Sequence, residues 1–144
     1  CLATGTPLVT AVTFADEAGT GVTRPVTVTV ANAAPTAPRT PFPAGGATEV
    51  DTEIVLSWEP GTDLNCDTQN YTVAFGAVGK PLSIIATDLL TPTWSLTTLK
   101  PAMEYRWVIT ATDGISSTAS PIWSFTTKAP PKWTVFLPVV LRGE

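Results

Sequence analysis

The sequence predicts an all-β protein, and three observations carry that prediction. Apolar and polar residues alternate with a period of two, as in Tyr105, Trp107, Ile109 and Ala111 against Arg106, Val108 and Thr110, which suits a half-buried strand and puts no common face on a helix. Thr and Pro are common, whereas helix-forming runs of Lys, Glu and Ala do not occur. Turn residues, such as Asp16 to Gly21 and Asp113-Gly114, fall between the alternating runs. With 144 residues, 44% of them hydrophobic, the chain has apolar surface for one ordinary domain plus extra pieces.

In chain order, Leu8 to Phe14 reads as a strand and Arg24 to Ala31 as a second, with Val26, Val28 and Val30 on one face. Two strands cannot cover their own apolar face, so this hairpin is expected to need a partner. Its close, Val-Thr-Val-Thr-Val-Ala-Asn-Ala-Ala-Pro, resembles the last strands of bacterial immunoglobulin-like repeats; residues 1–34 are therefore read as the hairpin of an incomplete unit of that kind. Pro35, Pro38, Pro41 and Pro43 predict a semi-rigid extended linker over 35–43, because each proline fixes φ and disfavours helix before it. Strands are then expected at Ile54-x-Leu56-x-Trp58, Tyr71-x-Val73-x-Phe75, Trp94-x-Leu96, the Tyr105 run and Trp123 to Thr127.

The lead-in Leu99-x-Pro101-x-x-x-Tyr105 resembles the tyrosine corner of fibronectin type III domains, in which the tyrosine hydroxyl bonds back to the upstream turn. Taken with the tryptophan-bearing strands around it, the stretch 35–128 resembles a bacterial secreted fibronectin type III domain. That resemblance implies a seven-stranded sandwich of two antiparallel sheets. It also implies that the chain enters at the pole of the B–C and F–G loops and leaves at the other. The family hosts adhesion, spacing and recognition roles alike, so the fold does not choose among them. An Arg-Gly-Asp tripeptide does not occur here.

Beyond a Pro130-Pro131 connector, Trp133 to Arg142 is apolar on both alternating faces from Val135 onward, the pattern of a strand covered on both sides. Residues 129–144 are read as a proline linker and an extra C-terminal strand, similar to short tails of secreted bacterial proteins. The run Val135 to Leu141 is far shorter than the roughly 20 residues a membrane helix needs, so no membrane span is expected. Starting at Cys1 rather than Met, the chain reads as a processed product or a segment of something longer.

Net charge −4 and a pI near 4.7 argue against nucleic acid as a partner. With no histidine, every His-dependent triad is excluded and the usual zinc and copper ligand is absent. The acids Asp51, Glu53 and Glu59 form no recognisable hydrolytic pair, and no nucleophile elbow or phosphate-binding glycine loop occurs. The expected function is thus non-enzymatic and cofactor-free: a structural subunit of an extracellular or cell-surface assembly, joined head-to-tail to its neighbours by β-strand addition. Trp133, Val135, Phe136, Leu137, Val139 and Leu141 are the donor residues; Leu8, Val12, Phe14, Val26, Val28 and Val30 are the acceptor. The alternative is a C-terminal spacer or carbohydrate-binding accessory module of a larger secreted protein, with surface polysaccharide as partner.

Three smaller sites complete the reading. Cys1 and Cys66, the two cysteines, are expected to pair within or between subunits, Cys66 lying in the predicted B–C loop. Asp63, Asn65 and Asp67 alternate as at the opening of a calcium loop, but Thr68 stands where its glycine and Ala74 where its closing glutamate belong, so local turn hydrogen bonds are the stronger expectation. Asn70-Tyr71-Thr72 is a glycosylation sequon. Of the five tryptophans, Trp123 and Trp133 are those whose exposure would make a sugar-stacking platform.

Overall fold

The computed structural model describes residues 2–5, 7–15, 18–19 and 21–131, with the backbone alone at 7–15 and 22. Eleven strands and no helix make up the described residues. Strands β1 (Pro7–Ala15) and β2 (Gly21–Thr29) form a separate antiparallel hairpin. The remaining strands build a sandwich. One sheet has the order β3 (Arg39–Phe42), β5 (Ile54–Glu59), β8 (Thr93–Leu96). The other runs β4 (Ala47–Val50), β11 (Trp123–Thr127), β9 (Glu104–Thr112), β6 (Asn70–Ala77), β7 (Ser83–Leu89), with β10 (Ser117–Ala119) also on β9.

The expected seven strands appear once two broken strands are counted whole: A is β3/β4, B β5, C β6, C′ β7, E β8, F β9 and G β10/β11. β3 pairs with β5 in one sheet, and four residues later β4 pairs in parallel with β11 in the other; the cis Phe42–Pro43 bond lies at this crossing. β10 and β11 are likewise two halves of one strand along β9, parted by Ser120, Pro121 and Ile122. At the break the Ile109 N–H donates to Ser120 Oγ (3.0 Å) and the Ser120 N–H to the Ile109 carbonyl (2.8 Å). A serine side chain thereby supplies the partner that the interrupted ladder lacks.

The expected linker is corrected here. Residues 39–42 are strand β3, and Pro35 and Pro38 are fully buried. Pro41 is tolerated within β3 because β3 is an edge strand, where a missing N–H breaks no ladder. β7 was not foreseen either. Its Ile84 and Ile85 are 66% and 36% exposed on an outer edge, so no inward/outward alternation marks it in the sequence.

Alternation elsewhere sets the core. Tyr105, Trp107, Ile109 and Ala111 of β9 all point inward, against Leu56 and Trp58 of β5, Tyr71 and Val73 of β6, and Trp123 and Phe125 of β11. Trp107, with no exposed surface, meets Trp123 edge-on at 4.7 Å and Trp58 at 6.4 Å between ring centres. Edge-to-face contact suits rings whose faces are electron-rich and whose edges are not. Trp123 is buried at 8% exposure and so belongs to the core, not to a surface platform.

The Tyr105 hydroxyl accepts the Lys100 N–H at 2.9 Å, the expected corner bond. A second group, unforeseen, closes the same turn. Thr127 Oγ1, in a residue 2% exposed, accepts the Met103 N–H (3.0 Å) and donates to the Lys100 carbonyl (2.7 Å).

Candidate functional site

The sandwich presents its two chain connections at opposite ends. β9 leaves the corner at Glu104 and reaches the F–G turn after Thr112, a run of about 30 Å at roughly 3.3 Å per residue. At the F–G end sits the N-terminal segment. The Asn32 side-chain amide donates to Ser116 Oγ in the F–G turn (3.0 Å), and the Ala33 N–H donates to Asn65 Oδ1 in the B–C loop (2.9 Å). The Thr4 N–H donates to Asp67 Oδ1 (3.0 Å), Thr4 Oγ1 donates to Asn32 Oδ1 (2.9 Å), and the Asn65 amide reaches Thr4 Oγ1. Both ends of the hairpin are thus tied to one loop.

The Asp63-x-Asn65-x-Asp67 alternation supplies the acceptors for these bonds. Asp63 Oδ1 accepts the N–H groups of Asn65 (3.0 Å) and Asp67 (3.3 Å), bending the loop so that Asn65 and Asp67 face the N-terminal segment. Asn65 is 5% exposed, and its side chain is spent on Ala33, Thr4 and Asp67. Among the described residues no group of three or more His, Cys, Asp or Glu converges as a metal site. Sequence reasoning missed the clamp because carboxylate and amide oxygens at alternate positions serve a cation and a backbone N–H equally well.

Cys66, at φ 60°, is disulfide-bonded, while Cys1 lies outside the described residues. Asn70 opens β6 half-buried, opposite Thr112. Two threonines extend the junction: the Thr36 N–H donates to the Thr62 carbonyl (2.9 Å) and the Thr62 N–H to Thr36 Oγ1 (2.8 Å). Neighbouring Gly61 permits this, since a Cβ there would stand 1.8 Å from the Thr36 carbonyl oxygen.

The hairpin itself is uncovered where its side chains are described. Every residue of β2 from Thr23 to Thr29 is exposed, including Val26 (38%) and Val28 (56%). Its register sets Leu8 opposite Val28, Val12 opposite Arg24 and Phe14 opposite Val22. Val30 lies just past β2, half-buried, its carbonyl accepting the Gly5 N–H. The donor residues Trp133, Val135, Phe136, Leu137, Val139 and Leu141 all lie outside the described residues.

At the other end the exit is pinned. The Lys128 N–H donates to the Val50 carbonyl (2.8 Å), the Lys128 carbonyl accepts the Ala102 N–H (3.0 Å), and the Lys128 ammonium pairs with Asp51. That hydrogen bond to Asp51 raises the Lys128 pKa above its ordinary value. Glu59 bonds Arg39 across β5 and β3 (3.1 Å), and this bond above all lowers its pKa. Asp51 and Glu53 precede β5, both exposed. Two of the three acids considered for hydrolysis are therefore held by cations at separate places.

With this geometry the class is defined: the sandwich is a fibronectin type III-like fold, with β3, β5 and β8 packed against β4, β11, β9, β6 and β7. No protein-family model matches the sequence, and no curated protein does. Solved structures do resemble it. Domains d3–d4 of the rat CD45 extracellular region match at 14% identity and a TM-score of 0.60 over 86% of this chain, which spans 65% of that one. The fourth FNIII domain of a human protein matches at 19% identity and TM-score 0.58, covering 74% of this chain and 90% of that one. An Fn3-like protein from Clostridium thermocellum matches at 20% identity and TM-score 0.50, covering 72% and 100%. At these identities the likeness establishes the fold. No helix among the described residues is long and apolar enough to cross a membrane.

Proposed function

We propose that this chain is a non-enzymatic structural subunit of an extracellular or cell-surface assembly, whose copies join head-to-tail when the apolar tail of one adds a strand to the hairpin of the next. One observation carries the reading. β2 exposes every described side chain from Thr23 to Thr29, Val26 and Val28 among them, although the hairpin's ends are fastened to the sandwich. A fastened but uncovered two-stranded unit offers open backbone edges and an apolar face to an incoming strand. The tail supplies large apolar residues on both faces, at about 1.5–3 kcal/mol of gross burial each. The chain exits at Lys128, at the pole opposite the hairpin, so a joint of this kind propagates rather than closing on itself as a two-fold dimer.

A Cys1–Cys66 bridge fits this arrangement, because Cys66 is disulfide-bonded and Thr4 is held beside it by Asp67. It would add a covalent tie to the clamp. Negative-stain microscopy of the full chain and of a chain ending at Pro131 tests the assembly. Filaments from the first alone are expected; filaments that persist without residues 132–144 refute strand addition by the tail.

The second reading, a spacer or carbohydrate-binding accessory module of a larger secreted protein, is favoured by a different observation. The match to the two-domain CD45 chain covers 86% of this chain, more than its sandwich alone provides, as expected if the hairpin is what remains of a preceding domain. Uniform monomers in the same micrographs support this reading instead, and retention on a polysaccharide affinity gel would then separate a sugar-binding module from a spacer.

A further inference from the structure

The outward face of the three-stranded sheet carries an open groove of about 550 Å³. Phe42 and Val55, 58% and 48% exposed, form its apolar wall, with the edges of Ile54 and Leu96 behind them and the carboxylates Asp51 and Glu53 on its rim. A sheet face turned to water is ordinarily polar, so exposed Phe and Val side by side need a reason. Asp51 is paired with Lys128; Glu53 has no ion-pair partner among the described residues.

The chain leaves the sandwich at the mouth of this groove. Lys128 is fixed there by Asp51 and by the Val50 carbonyl, and exposed Ala129, Pro130 and Pro131 follow. A proline-rich connector extends about 3.1 Å per residue, so the chain can carry a residue four positions past Lys128 up to ~12 Å from it and the next up to ~16 Å. Those two residues bring what the groove lacks. Lys132 is a cation for Glu53, and Trp133 is a large flat apolar side chain that loses much water-exposed area against Phe42 and Val55.

We infer that Lys132 and Trp133 seat in the groove of their own sandwich, the indole on Phe42 and Val55 and the ammonium toward Glu53. The tail is thereby anchored at its root, and the stretch offered to a neighbour starts at Val135 rather than Trp133. The anchor holds whether or not subunits polymerise, so it goes beyond the assembly reading and is tested apart from it.

The test uses the full chain, dilute enough to be monomeric, and Val55→Lys, a change at an exposed position that removes the apolar wall and repels Lys132. Trypsin cleavage after Lys132, followed by mass spectrometry, is expected about tenfold faster in Val55→Lys; equal rates overturn the inference. In the unsubstituted chain, Val55 methyl protons are expected to show NOEs to the Trp133 indole that vanish in Trp133→Ala. Absence of those NOEs overturns it as well. NOEs seen only between differently labelled chains in a mixed sample would give the groove to a second copy's tail and refute anchoring within the chain. Loss of filaments on tail deletion bears on strand addition alone.

Discussion

Replacing Thr127 by Val tests the claim that one buried hydroxyl completes the tyrosine corner. The two side chains have nearly the same shape, so no cavity opens and the change isolates the hydrogen bonds. Thr127 is 2% exposed, and its Oγ1 accepts the Met103 N–H and donates to the Lys100 carbonyl. Lys100 is exposed, so its carbonyl recovers a water; half-buried Met103 leaves its N–H without a partner. Leaving one buried donor unsatisfied costs about 1–3 kcal/mol, so a loss near 2 kcal/mol is expected. For a domain of this size that is about 8–16 °C in Tm. Urea denaturation followed by tryptophan fluorescence measures it directly, because Trp107 and Trp123 lie in the core. Tyr105→Phe removes the acceptor of the Lys100 N–H on the same turn, so the double variant should lose less than the sum of the singles. A Thr127→Val loss under about 0.5 kcal/mol, or strict additivity with Tyr105→Phe, would refute the account of a shared lock.

Three further expectations follow from the junction and the core. Gly61→Ala forces a Cβ to within 1.8 Å of the Thr36 carbonyl and should cost about 1–3 kcal/mol, with faster amide exchange at Thr36 and Thr62; wild-type exchange there would show that the junction is not tightly packed. Trp107→Ala empties the centre of the sandwich and should cost about 3–5 kcal/mol, read from the denaturation midpoint; a cost near 1 kcal/mol would contradict the packing described. Asp113, whose carboxylate accepts the Ser116 and Ile115 N–H groups, has a pKa lowered below 3.8, mainly by the Ser116 bond. A lowered carboxylate pKa stabilises the folded state above the unfolded value, and that contribution fades as pH falls through the folded one. The Ile115 and Ser116 amide resonances should therefore titrate with a midpoint below that of an ordinary aspartate, and a midpoint at or above it would disprove the assignment.

What the sequence discloses follows from how locally each feature is encoded. The inward row Tyr105, Trp107, Ile109 and Ala111 is legible because one face of β9 is dry and the other is not. The corner is legible because Leu99, Pro101 and Tyr105 lie within one turn of each other. β7 is not, since an edge strand with wet residues on both faces carries no periodic signal. β3 is masked by Pro41, which reads as a breaker unless one knows that its strand is an edge. Thr127 and Ser120 are invisible for another reason. Their roles depend on partners 24 and 11 residues away, and nothing about a lone hydroxyl in a strand announces which backbone group it will meet. Likewise Asp67 finds Thr4 from 63 residues away, so the spacing of the loop's acids could point to local turn bonds but not to the N-terminal segment they hold.

The path of the chain through the sandwich bears on both functional readings. Entry through β3 and β4 and exit through β11 run in the same direction, and β4 and β11 are parallel neighbours, with Ala47 opposite Phe125 and Val50 opposite Thr127. Pulling the chain's two connections apart therefore drags these strands past one another along their length. The bonds between them lie across the pull, so they must yield together rather than one at a time. At the entry, tension passes from the hairpin into the B–C and F–G loops through Ala33 and Asn32 before it reaches β3. At the exit it meets Lys128, already bonded to Val50 of β4. Both connections thus converge on the β4–β11 pair, an arrangement that resists extension whether the neighbour is another copy or another domain of a longer chain, and that gives a spacer and a filament subunit the same mechanical reason for this fold.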